Sequence, residues 1–398
     1  MRKIVFIFII MLTMLATGCT YDFGRTEIEK ILFITTVGID KAEDGSEDII
    51  ITAISRNIEA YGKNQSFPSM KRSNIIVSRS ETISEAIRNL SSYSDKKIFF
   101  GHAEYILIGE KAAQDNLLKY LDIFSREHEL RLNSKVIIVK EETAQSLLGK
   151  IADEDVSIRD YLRSLFNSNK NLSTSDEITI INIMNMLDDN LVSAYIPCIK
   201  IKKNIYENST EKSKKNIIEL NGFALFKGEK LFGYITDEMA RAFNWIKGKV
   251  HSGVIVLKSP SGENVSLEIV DSTTKIIPKL SEGGLEINVQ INFSTNVTEI
   301  KGKENIFKEE TLSFLENQQN NLVKKQIQDV LSFAKENNLD FFPISEIVYH
   351  KYPVKWQYMK DSWEKIFPEI KTRIEVNSVL NRTYDIKEPI KSGYGVEK

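Results

Sequence analysis

From Ile4 to Leu15 every residue but Thr13 is apolar; the cations Arg2 and Lys3 precede this run, and Ala16, Thr17, Gly18 and Cys19 follow it. A short apolar run between cations and a small-residue cleavage site is an export leader, and a cysteine at the cut marks lipid attachment. The peptidase needs small side chains at the two positions before the cysteine. Thr17 and Gly18 supply them, while Ala16 stands where leucine is usual. The same residues also permit a plain leader or an N-terminal anchor helix, with Cys19 incidental. The run is shorter than the ~20 residues that cross a bilayer, and no later stretch approaches that length without charges. Two acyl chains, at ~0.8 kcal/mol per buried CH₂, hold a protein durably at a membrane surface. The body should therefore sit on a membrane, anchored through Cys19. Only Cys198 remains beyond Cys19, so no intrachain disulfide can form and the fold must rest on packing.

Loss of Arg2 and Lys3 with the leader takes the formal net charge from −2 to −4. So weak an acidic excess argues against nucleic acid as a partner. The length predicts two or three domains, and the apolar content, 42%, is that of soluble domains with cores of their own.

A polar tether, residues 19–29, leads into a β-branched run, Ile31 to Asp40, that reads as a strand; an acidic glycine-bearing turn joins it to a hairpin partner, DIIITAISRNI. A third strand lies near Asn74 to Ser78. Ile83, Ala86, Ile87 and Leu90 recur at helical spacing, and strand composition returns at Ala103 to Gly109. A second helix is predicted from about Lys111 to Phe124, then the strand SKVIIVK, then helical patterns to about Leu187. From Ala194 the pattern turns to strands. A lysine-rich stretch, Asn204 to Asn216, reads as a solvated hairpin tip, because Glu207 and Glu211 interrupt it and no aromatic platform accompanies it. DEMARAFNWIKG is a helix that begins at Thr236 or Asp237 and stops at Gly248. Strands follow near Val250 to Lys258, Val265 to Val270 and Leu285 to Val297. A long helix extends from about Phe307 to Asn337, then a short helix around Trp356 to Ile366 and the strand KTRIEVNSVL.

Chemistry-bearing motifs are missing. No nucleophile elbow, Walker loop or dinucleotide fingerprint occurs, and His102, His128, His251 and His350 lack metal-ligand spacing. In REHELR, Glu127 is placed to pair with Arg131 across one helical turn. His102, before a strand, reads as the bearer of a structural hydrogen bond. Cys198, after Pro197 in a strand, reads as a buried small side chain rather than a nucleophile. Trp245, Trp356 and Trp363 fall at helix-like positions where core packing is the default and an interface anchor the alternative.

Four ordered blocks nevertheless resemble the Ger(x)C family. CTYDFGRTEIEKILFITTVGIDK is similar to the family's mature start, lipid-bearing cysteine first, although its tryptophan is missing here. KKIFFGHAEYILIGEKAAQDNLLKYLDIFSREHELRLNSKVIIVK looks like its most recognisable segment, with Gly101, His102, Gly109, Glu110, Arg126, Glu129 and Arg131 in order. NGFALFKGEKLFGYITDEMARAFNWIKGK matches a second-domain pattern through Phe226, Gly233, Glu238, Arg241 and Trp245, with Met239 where threonine is common. NLDFFPISEIVYHKYPVKWQYMKDSWEKIFPEIKTRIEV resembles the closing region through Asp340, Trp356, Trp363 and Phe367. There Phe342 and Pro343 replace a usual phenylalanine-glycine element, and a glycine common past the last strand is absent near Asn381.

The resemblance implies an α+β lipoprotein of three mixed α/β domains with largely antiparallel sheets and a long helix in the last. Its parts would be a leader (1–18), a lipidated tether (19–29), an N-terminal α/β domain (30–190), a β-rich middle domain (191–270) and a C-terminal α+β domain (271–390). It implies a non-enzymatic subunit, without metal or cofactor, on the outer face of the inner spore membrane. Beside A-type and B-type integral membrane subunits it would form a nutrient receptor whose response releases ions and dipicolinate. His102, Arg126, Arg131, Glu238, Trp245, Trp356 and Trp363 are the candidate structural or partner-contact residues. A solute-binding lipoprotein and an envelope hydrolase are the competing readings, the second weakened by the missing motifs.

Overall fold

The computed structural model describes residues 27–56, 73–127, 129–153, 156–202, 217–301 and 308–381. Cys19, His128 and the lysine-rich stretch lie outside them.

Strands β1 (Ile31–Lys41) and β2 (Ile49–Arg56) form the expected hairpin, and β3 (Ser73–Ser80) pairs on its far side. Helix α1 (Ile83–Leu90) starts where the Thr82 hydroxyl accepts the Glu85 N–H, and it buries Ile83, Ala86 and Leu90. Next come β4 (Lys97–Phe99) and β5 (Tyr105–Gly109). The helix expected over residues 111–124 is broken into α2 (Glu110–Asp115), α3 (Leu117–Leu121) and α4 (Ile123–Arg126). The break has a tertiary cause. Asn116 is extended and caps α3 while its side-chain amide donates to the Glu229 carboxylate, and the Leu117 N–H donates to the Glu229 carbonyl. A hairpin tip more than a hundred residues away thus replaces helical hydrogen bonds that the local pattern favoured.

Strand β6 (Lys135–Val139) precedes α5 (Ala144–Ala152), α6 (Ile158–Asn169) and α7 (Ile180–Asp188), each entered through a Thr or Ser cap. Then β7 (Tyr195–Lys202), β8 (Ile217–Lys227) and β9 (Lys230–Ile235) complete one sheet of order β3-β2-β1-β5-β6-β7-β8-β9, with β4 also beside β1. Its centre is parallel and its flanks antiparallel. The central strands are apolar without interruption because both faces are covered. Tyr105, Leu107, Ile137 and Val139 pack under α5 and α6, whereas Ile106, Ile108, Val136 and Ile138 face the larger core on the other side.

Helix α8 (Asp237–Ile246) leads to a second sheet of order β10-β11-β12-β13: β10 (Val254–Lys258), β11 (Asn264–Ser281), β12 (Gly284–Ile300) and, in parallel with β12, β13 (Lys371–Asn381). Strand β11 runs well past the expected end at Val270, because its polar second half borrows its order from β12 across a continuous register to Ser281. On β12, Leu285, Ile287, Val289, Ile291 and Phe293 are buried at every second position. The long helix is present as α9 (Glu309–Glu336). It lays Leu315, Val323, Ile327, Val330 and Ala334 on the sheet, and Gln319 in their midst links the Thr295 hydroxyl (2.9 Å) to that of Ser378 (2.6 Å). Helix α10 (Ile344–Lys351) was not expected, and the short closing helix expected around Trp356 to Ile366 is two, α11 (Pro353–Met359) and α12 (Trp363–Glu369), joined by a 3-10 turn. The chain is thus α+β with mixed sheets. Among the described residues no helix is long and apolar enough to cross a membrane.

Candidate functional site

Past α9 the chain crosses back to the first sheet, and Asp340 fixes that crossing. Its carboxylate accepts the N–H groups of Ile344 and Ser345, both at 2.8 Å, and so caps α10; its carbonyl accepts the Ser193 N–H at 3.0 Å from the stretch leading into β7. Burial raises the Asp340 carboxyl from 3.8 to about 6, against the pull of the two helix N–H groups. The next two residues, Phe341 and Phe342, pack on Phe243 of α8, each with ring centroids 5.6 Å away. Phe243 in turn meets Tyr195 of β7 (4.8 Å) and Phe223 of β8 (5.0 Å). An aromatic seam therefore joins the first sheet to α8 and to the segment that follows α9.

Asp40, at the end of β1, repeats the device: its carboxylate accepts the Ala144 and Gln145 N–H groups at 2.8 and 2.9 Å, and burial lifts it to about 6. A Cβ on Gly109 would collide with its Oδ1.

Beside the seam opens a cleft of about 350 Å³ between α7, β7, β8 and α8 on one side and Pro343 and Glu346 on the other. Its polar groups are mixed. Lys249 pairs with Asp176 at 3.5 Å, and Asn244 donates to the Ser173 carbonyl at 2.8 Å. The Lys247 ammonium lies 5.5 Å from the centre of the Tyr195 ring, and no carboxylate among the described residues is within ion-pair distance of it. Burial lowers its pKa below the ordinary lysine value, more than the carboxylates of Glu346, Asp176 and Asp340 restore at longer range. A second cleft, about 320 Å³, lies by Asp340, Lys227 and Trp363.

The residues singled out from sequence divide into two groups. Trp245 is buried against Phe293 (5.0 Å), Trp356 and Trp363 pack edge-on at 4.9 Å, and Trp363 borders the second cleft. Glu238 is exposed in the first turn of α8, where its charge raises the pKa that burial lowers on Arg241. His102, Arg126 and Arg131 are exposed, and neither hydrogen bonds nor ion pairs join them to one another or to the cleft. His102 makes ring contacts with Phe33 (5.0 Å) and Phe99 (5.6 Å), and its side chain has no hydrogen bond to another of the described residues. Arg126 ends α4 and pairs with Asp122 at 2.6 Å; because the helix stops there, Glu127 and Arg131 share no helical face. Cys198 is buried, its thiol donates to the Asn221 carbonyl at 2.9 Å, and burial pushes it up to about 12. Sequence reasoning passed over Lys247, Tyr195, Phe243 and Phe341. A lysine directly after a helix that carries Trp245 and Phe243 was a usable signal for the first; nothing local marks the others.

Two sheets, with a seam of aromatic rings and clefts along it, define a two-part α+β protein with a continuous core. Two family models match the chain in order, "Spore germination protein N-terminal domain" over residues 24–201 and "Spore germination B3/ GerAC like, C-terminal" over residues 221–384. The chain belongs to the Ger(x)C family of spore germination proteins. It is 24% identical to spore germination protein KC of Bacillus subtilis over 98% of both chains, and 23% identical to spore germination protein B3 of the same organism over 88% of this chain and 91% of that one. The crystal structure of the GerBC protein shares the fold, with a TM-score of 0.51 and 18% identity over 86% of this chain and 96% of that one.

Proposed function

We propose that this chain is the lipid-anchored, non-enzymatic C subunit of a spore nutrient germinant receptor. Cys19 carries the lipid, and the body stands on the outer face of the inner spore membrane beside A-type and B-type integral membrane subunits. The observation that carries the reading is the pair of family matches, which in order account for residues 24–201 and 221–384. Physical chemistry supplies the rest. An acylated tether confines the body to the membrane plane, so modest contacts with membrane subunits become effective through raised local concentration. A contact that differs between resting and nutrient-bound states makes the subunit part of the switch.

A solute-binding lipoprotein, the competing reading, calls for two lobes of repeated strand–helix alternation. The second sheet here is instead a long hairpin flanked by two further strands. The test is affinity purification of the full chain from spore membranes, alongside a Cys19→Ser variant. Two integral membrane proteins should co-purify with the parent chain, and the variant should leave the membrane fraction and impair nutrient-triggered germination. Recovery of the parent chain alone, with germination intact after deletion, would end the proposal.

A further inference from the structure

The cleft beside the aromatic seam holds a lysine, Lys247, that makes no ion pair among the described residues. Lys249 has Asp176, but Lys247, partly buried, has the face of Tyr195 and no ion pair among the described residues. A cation taken from water without a partner is costly unless something supplies the counter-charge. Around it stand apolar walls, Phe243, Phe223 and Met186, and the acids Asp176, Glu177 and Glu346. We infer that this cleft is a binding site for a small monocarboxylate with an apolar body, its carboxylate on Lys247 and its body against Tyr195 and Phe243. Asp176 and Glu177 are taken up by Lys249 and Lys135, which leaves the Lys247 ammonium to hold one carboxylate, whereas a dianion such as phosphate would bring a second negative charge towards Glu346, which has no ion pair among the described residues. A volume of about 350 Å³ falls in the range of small-molecule sites, and apolar lining with a few placed polar groups is their usual composition. Pro343 and Glu346 line the cleft together with residues of α7, β7, β8 and α8, so an occupant touches the first sheet, α8 and the segment that follows α9. The inference rests on this geometry and not on the receptor reading.

The probe is benzoate, titrated into the full chain in detergent micelles and followed by equilibrium dialysis, with acetate and inorganic phosphate in parallel. Saturable one-site binding of benzoate is expected, weaker for acetate, which lacks the apolar body. Lys247→Met should reduce it at least tenfold, Lys247→Arg should retain most of it, and Lys249→Met should lower it less than Lys247→Met. Circular dichroism of each variant separates loss of the site from loss of the fold; if Lys247→Met does not fold, Lys247→Gln takes its place. Absence of saturable benzoate binding overturns the inference. So does binding that survives removal of the Lys247 charge, or phosphate binding tighter than benzoate.

Discussion

Asp340 shows how much one side chain can organise. Its two carboxylate oxygens are the acceptors for the buried N–H groups that open α10. Each such group left unpaired costs about 1–3 kcal/mol, so Asp340→Ala should lose about 2–6 kcal/mol of stability in a denaturant titration. Asp340→Asn adds a pH signature. The folded carboxyl, at about 6, holds its proton to higher pH than the unfolded one at 3.8. Between those values the native state binds more protons, so the parent chain loses stability as pH rises through the interval, by about 3 kcal/mol, and is level above it. Asparagine does not titrate. The parent's advantage over Asp340→Asn should therefore be widest near pH 4 and shrink by pH 7, as read from midpoints at both; a gap that widens instead refutes the assignment. Pro343 offers the opposite sign. Its φ of +22° lies where a pyrrolidine ring is strained and a glycine is not. Pro343→Gly should accordingly raise stability by about 1 kcal/mol. The sequence made Asp340 visible as part of a motif. It could not show the role, because the Ser193 N–H that Asp340 also holds is remote in the chain.

Elements were legible to the extent that each carries its own period. The β1–β2 hairpin, α1, β6 and α9 all have alternation or helical spacing within their own residues, and all appear where that spacing puts them. Those that depend on neighbours were misread: Glu229 divides the helix expected over residues 111–124, and the second half of β11 is a strand only because β12 lies beside it. Gln319 of α9 is a polar residue inside an apolar stripe for a reason that only the sheet reveals. Its amide spans Thr295 on β12 and Ser378 on β13, strands that are far apart in the chain. Gln319→Met keeps the length and removes the amide, so it should cost about 1–3 kcal/mol through the hydroxyls left behind. An unchanged denaturation midpoint would show that the bridge carries no stability.

At the scale of the molecule, the seam ties the first sheet to α8 and to the segment that follows α9, and Phe243 touches both. Truncation of a buried phenylalanine costs about 3–5 kcal/mol. Because these contacts join the two parts, Phe243→Ala should also split thermal unfolding, giving two calorimetric transitions where the parent has one. A single shifted peak would mean that the seam is not what couples the parts. None of this junction was readable from the residues, since its rings come from β7, β8, α8 and the stretch after α9.

The order in which the second sheet is assembled has a further effect. Strand β13 begins at Lys371, and its neighbour β12 ends at Ile300, so a growing chain leaves one side of β12 unpaired until about seventy further residues and β13 itself have been made. An open strand edge of that length invites pairing with other chains. A premature stop or a protease nick shortly before Lys371 would therefore do more than shorten a tail. It would leave an adhesive border on an otherwise folded body, and such fragments should be recovered as aggregates rather than as trimmed, soluble protein.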